Sequence, residues 1–115
     1  MKTLWRFIFV SGRLDDLQLL AHEALHHNPD YAPLHYNVAN ALGKASRFAE
    51  SERHFLAAIR LAPFEANYHS NLGVLYHRWK KYEKAEAAYS KALQLNPKDV
   101  DSEKYRTSVR KFIKN

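Results

Sequence analysis

Three prolines constrain this chain more than any other feature. Pro29, Pro63 and Pro97 stand 34 residues apart, and each closes a similar phrase: Glu23-Ala24-Leu25-His26-His27-Asn28, then Ala57-Ala58-Ile59-Arg60-Leu61-Ala62, then Lys91-Ala92-Leu93-Gln94-Leu95-Asn96. Proline has no amide hydrogen to donate and biases the residue before it away from helical dihedrals, so each copy marks the end of a helix. A phrase that returns at a fixed interval of this size is the signature of stacked repeats, each too small to bury a core alone.

Within each interval the apolar residues recur at helical spacing, as in Phe55, Ala58, Ile59 and Ala62, or Ala85, Ala88, Tyr89, Ala92 and Leu93. That is the pattern of amphipathic helices rather than strands. Each interval divides again, at Ser11-Gly12-Arg13, Ala45-Ser46-Arg47 and Trp79-Lys80-Lys81. The spacing predicts an all-α chain with helices at 2–10, 14–27, 33–45, 48–61, 66–79, 82–95 and 100–113. Asp99 is placed to cap the last of these, whereas Arg47 and Lys81 stand where a side-chain acceptor would be preferred.

A helix-turn-helix of this length resembles the tetratricopeptide repeat. With the proline at repeat position 32, the third unit carries Leu72 and Gly73 at positions 7 and 8, Tyr76 at 11, Tyr82 at 17, Ala85 at 20, Tyr89 at 24 and Ala92 at 27. The second unit has Val38, Ala39, Leu42, Phe48, Ser51, Phe55 and Ala58 at the same places. Small residues at 8, 20 and 27 let two helices approach closely while the large ones fill the space between them. His35 and His69 stand at position 4, where the family often has tryptophan; we expect them to be packing residues with one satisfied nitrogen.

The resemblance implies a solenoid of helix pairs divided into a truncated or degenerate repeat at 1–31, full repeats at 32–65 and 66–99, and a capping helix at 100–115. The first unit departs from the pattern, because Trp5 falls at position 8 where an indole cannot fit between closely packed helices. Helix 2–10 is also apolar all round, with Leu4, Trp5, Phe7, Ile8, Phe9 and Val10. Either this helix docks differently or Met1 is not the native start of the solenoid. A helix apolar all round is expected to be buried on both sides, which favours the second, and the chain then reads as the finished end of a longer array. The isolated chain is then expected to self-associate through residues 1–10. On the last helix Val100, Val109, Phe112 and Ile113 are expected to share the inward side.

Composition narrows the functional classes. The 115 residues are 46% hydrophobic and 26% charged, which excludes a disordered or collagen-like chain. The formal charge of +6 is not spread evenly: residues 1–77 hold seven basic and seven acidic residues, whereas residues 78–115 hold eleven and five. This is a basic end on a neutral body, and without a recognisable binding motif no nucleic-acid partner is expected. Arg6 interrupts the apolar run of residues 1–10 and no small-residue cleavage site follows, so that run reads as neither a membrane span nor a signal peptide. No cysteine is present, which excludes disulfides and thiolate metal sites. His22 and His26 share a helical face but have no third ligand near them in the sequence, so no metal and no cofactor is expected. No nucleophile with an orienting base is identifiable, so no catalytic residue is assigned.

Two stretches are more particular than the repeat pattern. Val38-Ala39-Asn40-Ala41-Leu42-Gly43-Lys44 and Tyr68-His69-Ser70-Asn71-Leu72-Gly73-Val74-Leu75-Tyr76-His77-Arg78-Trp79 resemble the last repeats of the transmembrane and tetratricopeptide-repeat-containing proteins. The final helix, with Tyr105, Val109, Arg110 and Lys111, is similar to that family's tail. The resemblance implies a protein of the endoplasmic-reticulum membrane with lumenal repeats, which transfers mannose to Ser or Thr of cadherin-type domains. None of that family's catalytic residues can be carried onto this chain, which holds repeats only.

In the repeat family the first helix of each unit lines a concave groove that binds an extended polypeptide or partner domain. Asn37 and Asn71 both fall at position 6 on such helices and form a ladder like that of O-GlcNAc transferase. A carboxamide both donates and accepts, so it can pair with a peptide backbone whatever the side chains are, or instead with backbone of its own repeat. Beside the ladder the groove is expected to show Tyr36, Asn40, Lys44, Asn67, Ser70, Val74, His77 and Arg78. Lys44 and Arg78 share position 13 and could meet a carboxylate. Tyr36 and Ser70 take the place where co-chaperone repeats carry the lysine that holds a chaperone's acidic tail, which disfavours that function. The alternatives to a mannosyltransferase's docking repeats are a free-standing cytosolic adaptor and such a co-chaperone.

Overall fold

The computed structural model describes residues 14–113, and the regular elements in that range are six helices: α1 Leu14–His27, α2 Ala32–Lys44, α3 Phe48–Leu61, α4 Ala66–Arg78, α5 Tyr82–Leu95 and α6 Val100–Arg110. The helix expected at 2–10, and with it the expected self-association surface, lies outside the described residues. Helices α1, α3 and α5 are each 14 residues long and begin 34 residues apart; α2 and α4 are each 13 long and keep the same interval. The period read from the prolines is thus the period of the backbone. The last helix is shorter than the expected 100–113. Beyond Arg110 the amides of Lys111, Phe112 and Ile113 bond three residues back, to Ser108, Val109 and Arg110, so the chain tightens out of the α conformation.

The described residues form two compact units, divided between Leu61 and Ala62. In the first, α2 and α3 pack as a helical hairpin, with α1 lying against α2. Ala21, Ala24, Leu34, Val38 and Leu42 form the α1–α2 core, with Leu25 packed against it. The close approach of α2 to α3 rests on Ala39 and Ser51, both fully buried. A hydroxyl buried without a partner would cost about 1–3 kcal/mol, and Ser51 Oγ avoids that by donating to the Ala39 carbonyl at 2.7 Å.

The second unit repeats the hairpin with α4 and α5 and adds α6. Here Gly73 replaces alanine because the Tyr89 ring lies directly on it: a methyl placed on Gly73 would stand 2.6 Å from Tyr89 Cδ1 and Cε1. Ala85, Ala88, Ala92 and Leu93 are buried with Tyr89, as the helical spacing of these residues requires. Asp99 caps α6, accepting from the Ser102 amide at 3.1 Å and from its hydroxyl at 2.6 Å. The apolar side expected of α6 is only partly found. Val109 is fully buried, but Val100 is 76% exposed at the first turn, and Phe112 is 55% exposed and stacks on Tyr82 with ring centroids 4.7 Å apart.

Both hairpin turns are made the same way. Arg47 N–H reaches the Leu42 carbonyl and Ser46 N–H the Gly43 carbonyl; one interval later Lys81 N–H reaches Tyr76 and Lys80 N–H reaches His77. This is the Schellman arrangement, whose turning residue adopts the left-handed conformation. Ser46 and Lys80 hold it with φ 62°, where glycine would carry no Cβ penalty.

Candidate peptide-binding face

The expected site residues fall into two groups, one in each compact unit. Tyr36, Asn37, Asn40 and Lys44 lie on α2, with Asn37 and Lys44 exposed and the other two half-buried. Tyr36 turns its ring onto Phe55 of α3, edge to face at 6.2 Å. Asn67, Ser70, Asn71, Val74, His77 and Arg78 fall at i, i+3, i+4, i+7, i+10 and i+11 along α4, which puts them on one stripe of that helix. At its N-terminal end the stripe is knitted to its own backbone, since the Asn67 carbonyl accepts from Ser70 Oγ at 3.2 Å and from Asn71 Nδ2 at 3.0 Å. Asn71 therefore commits one amide hydrogen locally, whereas Asn37 projects from α2 into solvent.

The stripe changes character toward its C-terminal end. Val74, His77 and Arg78 line a cleft of about 280 Å³ together with Tyr89 of α5 and Tyr105 of α6. Tyr89 is 1% exposed and forms the floor, and the Tyr105 ring stands against it at 5.8 Å. Burial pushes the Tyr89 hydroxyl's pKa well above that of a free phenol, so it stays protonated. Glu86 of α5 pairs with Arg110, and Glu103 of α6 pairs with Arg106. Among the described residues no carboxylate pairs with Arg78 or with Lys44. Tyr89 and Tyr105 were not expected here: tyrosine at the first position reads as core, and no periodicity connects a residue of α6 to α4.

The histidines hold the connection between repeats. His69 Nε2 bonds the Pro63 carbonyl at 2.9 Å and His35 Nε2 bonds the Pro29 carbonyl at 3.0 Å, so position 4 ties each helix back to the proline before it. His35 differs from the expected packing residue in using its second nitrogen too, which faces His54 Nδ1 at 3.2 Å. A carbonyl can only accept, so neutral His35 carries its proton on Nε2 and His54 donates to its Nδ1. Burial, then the proximity of His35 and Arg53, lowers the His54 pKa against the opposing effect of Glu50. Among the described residues no three His, Asp or Glu side chains are grouped to hold a metal ion. No described helix is long and apolar enough to cross a membrane.

Paired helices at a constant interval, small residues where they meet and a polar stripe along α4 define a class, and comparison with known proteins agrees with it. Residues 66–99 match the Tetratricopeptide repeat family. The first tetratricopeptide domain of Spaghetti (RPAP3), solved with an HSP90 peptide, superposes with a TM-score of 0.84 at 20% identity, covering 93% of this chain and 85% of that one. The described chain has the all-helical fold of a tetratricopeptide-repeat solenoid. In sequence it is similar to a protein O-mannosyl-transferase of Caenorhabditis elegans, 33% identical over 81 residues, which are 70% of this chain and 12% of that protein. It is similar also to the protein O-mannosyl-transferase Tmtc3 of Drosophila melanogaster, 31% identical over 85 residues, 74% of this chain and 9% of that protein. The chain thus spans about a tenth of the length of these curated relatives.

Proposed function

We propose that the chain supplies docking repeats to a protein O-mannosyl-transferase and that α2 in one unit and α4 in the other each offer a binding face to acceptor polypeptide. The observation that carries this reading is the similarity to O-mannosyl-transferases over most of the chain. In this reading the chain contributes binding rather than chemistry. It works on the lumenal side of the endoplasmic-reticulum membrane, with cadherin-type domains as partners. Asn37 and Asn71 hold the acceptor's backbone, flanked by Tyr36, Asn40, Lys44, Asn67, Ser70, Val74, His77 and Arg78. The division into a degenerate repeat at 1–31, repeats at 32–65 and 66–99, and a capping helix at 100–115 belongs to the same reading.

A segment exchange tests it. Replacing the matching segment of the C. elegans relative with this chain should preserve mannosyl transfer to an acceptor domain, and deleting the segment should reduce it. The exchange with Asn37→Ala and Asn71→Ala should behave like the deletion while leaving the helices folded. Transfer that is indifferent to deletion of the segment would contradict the docking role.

A further inference from the structure

We infer that the cleft between α4 and α6 is an anchor pocket for one apolar side chain of the bound polypeptide, taken from an acidic stretch in which carboxylates flank that side chain. The inference deepens the groove reading and rests on it, but it concerns residues of the second compact unit alone. Its floor and walls are apolar or aromatic: Tyr89 beneath, Val74 on one side and Tyr105 on the other. A cleft of about 280 Å³ lies just below the range usual for small-molecule sites, which suits a side chain better than a free ligand.

Charge complementarity sets the sign of the partner. His77 and Arg78 stand at the rim, and no acidic residue lines the cleft among the described residues. The neighbouring arginines of α6 already have carboxylates, Arg106 with Glu103 and Arg110 with Glu86, whereas Arg78 is exposed with none among the described residues. An arginine left unpaired beside an apolar cleft favours a carboxylate next to the inserted side chain, because its fork of donors matches that group. Register adds a second argument. Tyr105 follows Asn71 by the same 34 residues that separate Asn71 from Asn37, so the third rung of the ladder is a phenol ring rather than a carboxamide. A backbone held by Asn71 would then meet a surface built for a side chain.

The test uses the full chain and fluorescence anisotropy with a labelled, end-blocked glycine-serine peptide carrying one leucine between two aspartates. Two control peptides replace the leucine with serine, or the aspartates with lysines. We expect each control to bind at least tenfold more weakly. Val74→Trp, which fills the cleft, should abolish the preference for leucine, and Arg78→Ala should abolish the preference for aspartate; helical content and unfolding midpoint are measured alongside. Because Val74 is half-buried, Tyr105→Ala serves as a second variant should the tryptophan disturb the fold. Asn37→Ala with Asn71→Ala should weaken all three peptides alike. Equal binding of the three peptides, still sensitive to the asparagine pair, would overturn the pocket and leave the groove standing. Absence of binding by any of them would overturn both.

Discussion

The hairpin turns place non-glycine residues where glycine would be easier. Ser46 and Lys80 each hold the left-handed conformation, at a cost of about 1 kcal/mol relative to glycine. Ser46→Gly and Lys80→Gly should each raise stability by about that amount in urea denaturation, since neither side chain is buried. The opposite holds at Gly73, where the space is already filled by Tyr89. Gly73→Ala should destabilise by about 1–3 kcal/mol and Gly73→Leu by more, while Glu83→Ala on the exposed side of α5 should change little. Equal urea midpoints for these three variants would show that the α4–α5 contact is not closed at Gly73. At the proposed groove, Asn37→Ala with Asn71→Ala should cost about 1–3 kcal/mol of peptide affinity with the unfolding midpoint unchanged.

Between helices, the two units differ in a way that makes one of them sensitive to acid. His35 and His69 hold equivalent places, but His35 meets His54, whereas the residue one interval after His54 is Ala88. The pKa of His54 is lower folded than unfolded, so its contribution to stability is complete above the unfolded value near 6.5 and is lost as pH falls below it. The urea midpoint of the first unit should therefore drop between about pH 7 and pH 5, and His54→Ala should flatten that dependence. A wild-type midpoint constant across this range would refute the lowered His54 pKa.

The helices themselves were legible because proline and apolar periodicity are local: the expected and observed limits of α1, α3 and α5 coincide. What sequence did not reveal depends on contacts distant along the chain. Val100 continues an apolar pattern yet lies open at the start of α6, and the Tyr89–Tyr105 contact joins two helices that no periodicity relates. The polar stripe of α4 could be placed from its spacing alone, whereas the aromatic cleft at its end required the packing of α6.

For the molecule as a whole, the proposed groove and the positive charge concentrated after residue 77 together favour acidic peptides. Binding of acidic peptides should weaken as salt rises from about 50 to 500 mM, because exposed charges are screened over a few ångströms at the upper concentration. The proposed docking puts acceptor polypeptide on the face of α2 and on the face of α4. Its most direct test is site-specific photocrosslinking from the full chain to a cadherin-type domain, with the photoreactive residue placed in turn at Asn40, Val74, Arg53 and Lys91. We expect adducts from Asn40 and Val74, on the proposed binding faces, and none from Arg53 and Lys91, which are exposed on α3 and α5. Adducts from Arg53 and Lys91 in place of the other two would contradict the proposed docking.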